Sequence, residues 1–189
     1  MCLKNAILLT GLPGAGKSTI VKNVIEALEA EGVIKRGDIF GYKTIRLLDN
    51  AGRLEGFKIV TYGGQKCMLA AVKQKTAYRY MGLYVNRSAF DDTITAEFDR
   101  VKNSLHPLIC LDEIGLMEKV SAQYMARVID LFQNFCHPVI AVIKLIDEDD
   151  FLDRIKGLDN VELYMVDKSV RLAVEEKVYA RLRALVKRV

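Results

Sequence analysis

A chain of 189 residues, 51% hydrophobic and 28% charged, is long enough to build one self-sufficient core and too apolar to remain disordered. No apolar run approaches the roughly 20 residues of a membrane-spanning helix. The net charge of +4 admits an anionic ligand but is too small to mark a nucleic-acid footprint, so nucleic acid is not an expected partner.

The first expected element is a buried strand over 3–9, a better reading of the apolar N-terminal run than a signal peptide. The periodicity then predicts a helix over 17–30 with Ile20, Val21, Val24, Ile25 and Leu28 on one face, stopped by Gly32. Segments 38–48 and 54–62 flank the turn residues Asp49, Asn50 and Gly52 and predict a β-hairpin. A further strand is expected at 67–72. The stretch 35–87 lacks strand–helix alternation and reads as an antiparallel β insertion.

Beyond it, Ser88 and Asp91 resemble a capping box for a helix over 88–105 with the stripe Phe90, Ile94, Phe98, Val101 and Leu105. A buried strand follows at 107–113. Ser121 opens a helix that carries Tyr124, Val128, Leu131 and Phe135 on one side. A strand at 138–144, a short helix at 149–156, a strand at 161–166 and a final helix at 169–188 complete the chain. The last helix has Val170, Val174, Val178, Leu182, Leu185 and Val189 on its apolar side. Alternation of strands and helices at both ends predicts an α/β fold: a mainly parallel sheet with helices on both faces, in a single domain over 1–189. Strand order and oligomeric state stay open.

The cysteines at 2, 67, 110 and 136 form no C-x-x-C pair, which argues against zinc and for reduced thiols in a cytoplasmic protein, with Cys110 a core residue. His106 and His137 each precede a proline and read as loop residues.

Two motifs carry chemistry. "GLPGAGKS" matches G-x-x-x-x-G-K-[ST] through Gly11, Gly16, Lys17 and Ser18, between an expected strand and an expected helix. Such a loop turns backbone N–H groups inward as an anion nest at a helix N-terminus. Lys17 would reach the β- and γ-phosphates, and Ser18 would ligate Mg²⁺. In "LICLDEIG", Asp112 leaves a buried strand at its C-terminal end, where open α/β sheets bind ligands, and would hold Mg²⁺ with Ser18. Glu113 would orient or deprotonate an attacking water. Taken alone, the acidic pair also reads as an ordinary strand exit. Lys144 ends the next strand and reads equally as a γ-phosphate contact or a solvated end. Arg46 and Arg53 read as exposed strand residues before phosphate contacts. Lys168 and Arg171 follow the last strand, where a base or ribose often packs.

The order "LLTGLPGAGKST", "GYKTIR…GRLEGFKIV", "CLDEIGLMEKVS" and "PVIAVIK" resembles the P-loop nucleoside-triphosphatase family first described from thermophiles, also known as predicted nucleotide kinases. The resemblance spans nearly the whole chain and is most specific over Asp112–Glu118 and Ser121. It implies a RecA-like P-loop sheet bearing a β-hairpin insertion. It also implies slow, Mg²⁺-dependent hydrolysis of ATP, GTP and other nucleoside triphosphates. By the resemblance, Gly14, Gly16, Lys17, Ser18 and Thr19 would bind phosphate and metal, with Gly11, Pro13 and Ala15 the other expected nucleotide-binding residues of the loop. Glu113 would position the water, and Lys168 stands where the family has an arginine. Two alternatives stay open at this point: a kinase that passes the γ-phosphoryl group to a small acceptor, and a nucleotide-binding switch without turnover.

Overall fold

The structure, a computed structural model, describes residues 4–101, 104–105 and 107–187. Cys2, His106 and Val189 lie outside them. Nine strands form one sheet: β1 (Ala6–Thr10), β2 (Ile39–Leu48), β3 (Leu54–Thr61), β4 (Lys66–Ala71), β5 (Tyr78–Tyr80), β6 (Leu83–Val85), β7 (Leu108–Ile114), β8 (Val139–Ile143) and β9 (Val161–Met165). Their order is β5-β6-β4-β3-β2-β7-β8-β1-β9. The helices are α1 (Lys17–Ala30), α2 (Thr95–Arg100), α3 (Ala122–Asn134), α4 (Asp150–Lys156) and α5 (Arg171–Val186).

The sheet is parallel from β2 through β9 in this spatial order and antiparallel from β2 outward to β5. Strand β2 serves both halves. Its first residues, Ile39–Lys43, pair parallel with β7, and Tyr42–Leu48 pair antiparallel with β3. The expected insertion at 35–87 therefore begins inside a core strand. Its outer part is a four-stranded wing, in which β5 and β6 are short strands that the sequence pattern did not separate.

Side chains of β1, β7 and β8 are buried on both sides, as continuous apolar runs such as "AILLT" and "VIAVI" require. One face packs Ile7, Leu9, Cys110 and Val142 against Ile20, Val24, Val178 and Leu182 of α1 and α5. The other packs Leu8, Tyr42, Leu111 and Ala141 against Phe98, Tyr124, Phe132 and Leu152 of α2–α4.

Several local expectations change. Ser88 makes no cap. Its N–H and hydroxyl both donate to Asn86 Oδ1, and Asp91 instead accepts from Arg87 and Ser121. The segment opens as a π-helical stretch over Ala89–Ile94, and α2 is only six residues long. Leu105 is 84% exposed, outside the core stripe. In α3 Tyr124 and Val128 are buried as expected and Ile129 and Phe132 join them, while Leu131 and Phe135, the latter extended beyond the helix end at Asn134, pack half-buried against the same core. Val170 caps α5 from outside and is exposed. Ser121 behaves as expected: its Oγ accepts the Tyr124 N–H at 3.0 Å.

Candidate active site

The turn from β1 into α1 is built on left-handed glycines. Gly16 has φ of +100° and forms the N-cap of α1, and a Cβ there would lie 2.6 Å from the Arg171 side chain. Gly11 has φ of +146°, and a Cβ there would strike the Val166 carbonyl at 2.1 Å. The loop therefore passes directly beneath the β9–α5 connection, an approach open only to glycine. Lys17 is buried, and its ammonium donates to the carbonyls of Gly11 at 2.8 Å and Leu12 at 3.0 Å. These bonds hold the charge across the mouth of the loop and use two of its three N–H groups.

Ser18, in the first turn of α1, donates its hydroxyl to Asp112 Oδ1 at 2.8 Å. Asp112 sits near the end of β7, paired with Lys43 on one side and Val142 on the other. Burial pushes its carboxyl up to about 6, against the opposing pull of the Ser18 hydrogen bond. The next residue, Glu113, is half-buried and anchored through its backbone. Its N–H donates to Thr44 Oγ1 at 3.3 Å, and its carbonyl accepts from Tyr42 at 3.4 Å. Among the described residues its carboxylate makes no hydrogen bond, so the acid is fixed in place while its head stays available.

Sequence reasoning missed the polar cluster under this edge. Glu118 is fully buried, and burial pushes its carboxyl up to about 7, opposed by the N–H groups of Glu118 and Gly115 and by the charge of Lys144. Its Oε2 has no hydrogen-bond partner among the described residues. Tyr42 and Tyr124 share a short hydroxyl–hydroxyl bond beside it, and burial raises both phenols. Lys144 lays its aliphatic stem over Gly115, where a Cβ would meet Cδ at 3.0 Å, and its ammonium stands 5.8 Å from the Tyr80 ring centre in the wing. The available signal was a lone carboxylate inside the apolar run "IGLMEKV", too short to distinguish from a surface turn.

A cleft of about 350 Å³ adjoins the loop, lined by Gly14, Ala15, Lys168, Ser169, Arg171 and Leu172. Lys168 and Arg171 thus do reach the loop. Arg53 does not belong to this group: it pairs with Asp49 at 2.8 Å in the hairpin turn. Arg46 is exposed on β2 opposite Phe57. His137 lies in the loop before β8, beside the Phe135 ring. Cys110 is buried and Cys67 and Cys136 are free thiols. No group of three His, Cys, Asp or Glu forms a metal cage among the described residues. No described helix is long and apolar enough to cross a membrane.

A glycine-rich loop between the first strand and the first helix, facing an aspartate on the strand two places away in a parallel sheet, defines the class of P-loop α/β proteins. The chain belongs to the family described as NTPase, whose model matches residues 6–179. It is 33% identical over 168 residues to the nucleoside-triphosphatase THEP1 of Thermotoga petrophila, covering 87% of this chain and 86% of that protein. The corresponding protein of Thermotoga sp. strain RQ2 is 29% identical over 177 residues, with 94% and 95% covered. The crystal structure of THEP1 from Aquifex aeolicus superimposes with a TM-score of 0.79 at 25% identity, covering 94% of this chain and 98% of that one. The solution structure of a human cancer-related nucleoside triphosphatase shares the fold at a TM-score of 0.75 and 21% identity, with 95% and 98% covered.

Proposed function

We propose that this chain hydrolyses the terminal phosphoanhydride of nucleoside triphosphates, ATP and GTP included, slowly, with Mg²⁺ and with little regard for the base. The single observation that carries the reading is the Ser18–Asp112 hydrogen bond beside the phosphate loop. A hydroxyl and a carboxylate, both hard oxygen donors, fit a magnesium ion, which takes one or two protein groups and completes its shell with phosphates and water. Bound there, the ion would neutralise charge on the β- and γ-phosphate oxygens.

The chain's own groups supply the rest. Backbone N–H groups of Gly14, Ala15, Gly16, Lys17, Ser18 and Thr19, at the positive end of α1, bind the phosphate oxygens. Lys17 turns from the loop carbonyls to the β- and γ-phosphates. Glu113 orients the attacking water and takes its proton, leaving the nucleoside diphosphate and phosphate as products. A carboxylate head with no hydrogen bond holding it matches slow turnover, because positioning contributes much of such catalysis.

Lys168 and Arg171 offer positive charge to ribose and phosphate, whereas the one acid of the β9–α5 connection is already committed. Asp167 accepts from the Ser169 N–H at 2.7 Å, the Ser169 hydroxyl at 2.5 Å and the Val170 N–H at 3.2 Å. With Asp167 committed, no carboxylate of the connection is left to accept from a base edge, which supports broad base use. The test is phosphate release from ATP, GTP and CTP with Mg²⁺ and no added acceptor. Rates within about tenfold of one another are expected, and consumption of ATP only when a nucleoside monophosphate is added, with the phosphoryl group passed to it and no free phosphate formed, would overturn the hydrolase reading.

A further inference from the structure

The small net charge hides a strong segregation. Residues 39–87 carry nine of the 28 lysines and arginines but two of the 24 carboxylates, while the rest of the chain carries 19 against 22. The wing is therefore strongly cationic, and the body that holds the nucleotide loop is net acidic.

The register shows how these charges are displayed. Successive side chains of a strand point to opposite faces, and directly paired residues share a face. One wing face is core: Ile59, Leu69 and Val85 are buried in the cluster under α2 and α3. On the opposite face, β2, β3 and β4 align Lys43, Val60 and Lys66 in one cross-strand row. The next row is Ile45, Lys58 and Met68. Farther out, Tyr84 and Arg79 pair across β6 and β5, with the guanidinium 5.4 Å from the ring centre. The cluster under α1 and α5 takes Tyr62, just past β3, whose ring centre lies 5.0 Å from the Lys43 ammonium, but no residue of β3, β4, β5 or β6, so those helices leave the outer part of this face uncovered. Ion pairs among the described residues do not include Lys58, Lys66 or Arg79. Of the two acids, Asp49 is tied to Arg53 at the hairpin turn, and Glu55 lies in the same end of the wing.

We infer that this open face binds single-stranded nucleic acid. Cations alternate with apolar side chains in both dimensions: along the rows, Val60 separates Lys43 from Lys66 and Lys58 separates Ile45 from Met68; from one row to the next, Ile45 follows Lys43, Lys58 follows Val60 and Met68 follows Lys66. A single strand alternates in the same way, with charged phosphates and unstacked base faces that need an apolar surface. A duplex keeps its base faces stacked inside and would leave Val60, Ile45 and Met68 without them. An acidic peptide likewise has no regular apolar partner for them. The path also leads to the nucleotide site, because Lys43 pairs in register with Asp112 across β2 and β7. A strand lying on the wing would end beside the acidic pair.

The experiment uses fluorescence anisotropy with a labelled 20-nucleotide oligo-U RNA and an oligo-dT DNA of equal length. Binding is expected at low salt, with log affinity falling against log salt at a slope of roughly −2 to −3, as three or four phosphate contacts require. The charge reversal K58E/K66E is expected to weaken binding at least tenfold. Phosphate release from ATP and the thermal midpoint should not change, since neither residue touches the phosphate loop. That control separates failure of this inference from failure of the hydrolase reading. No binding to either oligonucleotide at 50 mM salt would overturn the inference. Equal binding of a 20-bp duplex, equal competition by polyglutamate, or undiminished affinity of K58E/K66E would overturn it too.

Discussion

Ser18 donates to Asp112 at 2.8 Å although 94 positions separate them in the chain. The bond joins the first turn of the first helix to the C-terminal end of the strand two places away in the sheet. Asp112 has few other ways to satisfy its charge: it is buried, and its carboxyl is raised to about 6 with burial the leading cause. Below that value the group is neutral and a poor ligand for a hard cation. The magnesium concentration for half-maximal phosphate release should therefore rise about fourfold between pH 7.5 and 5.5, following the ionised fraction of a group with this pKa. Asp112→Asn at pH 7.5 should show the acid-pH requirement or worse. Magnesium titrations at the two pH values check both.

Lys17→Ala removes the ammonium now donating to Gly11 and Leu12. A charge-assisted hydrogen bond contributes about 1.5–3 kcal/mol, so triphosphate affinity should fall roughly 10- to 100-fold and turnover should vanish. Calorimetric titration with a non-hydrolysable triphosphate measures the first, and phosphate release the second. Unchanged affinity would remove the loop from the site.

Glu113→Gln keeps the backbone bonds to Thr44 and Tyr42 and changes only the head group. Turnover should drop by about 10²–10⁴, the usual contribution of a positioned base. Nucleotide affinity should stay within about threefold. Single-turnover kinetics with saturating nucleotide would distinguish this from a binding defect.

Glu118 makes the opposite kind of prediction, about stability. Its folded value of about 7 lies above the ordinary 4.5, so the native state holds a proton that the unfolded chain releases sooner. Its stabilising share is complete below pH 4.5 and is lost as the pH rises through 7, a change on the order of 3 kcal/mol. Glu118→Gln has no charge to bury. The variant should be more resistant to urea than the parent protein at pH 8 and should lose most of the parent's difference between pH 5 and pH 8.

Gly16→Ala tests the loop backbone. Alanine must take a φ of +100° and push its methyl into Arg171. A left-handed conformation costs a non-glycine residue about 1–2 kcal/mol. The thermal midpoint should fall by several degrees, and nucleotide affinity with it, whereas Gly32→Ala has open space and only the backbone cost. Differential scanning calorimetry of the two variants separates strain from collision.

Much of the molecule was legible in the residues because its signals are local. The run "AILLT" into glycines, lysine and serine announces strand, turn and helix N-terminus within a dozen positions, and α1 spans the predicted 17–30. The strand ending in Asp112–Glu113 and the Ser121 cap are local in the same sense. Depth and neighbourhood are not local. That Ser18 meets Asp112, that β2 is parallel on one edge and antiparallel on the other, and that Glu118 is sealed under Tyr42 and Tyr124 all follow from which strands pair and in which register. The same pairing gathers Lys43, Lys58 and Lys66 onto one face. Composition averages those charges against carboxylates elsewhere in the chain; the sheet separates them, because alternate side chains of paired strands must point to opposite sides.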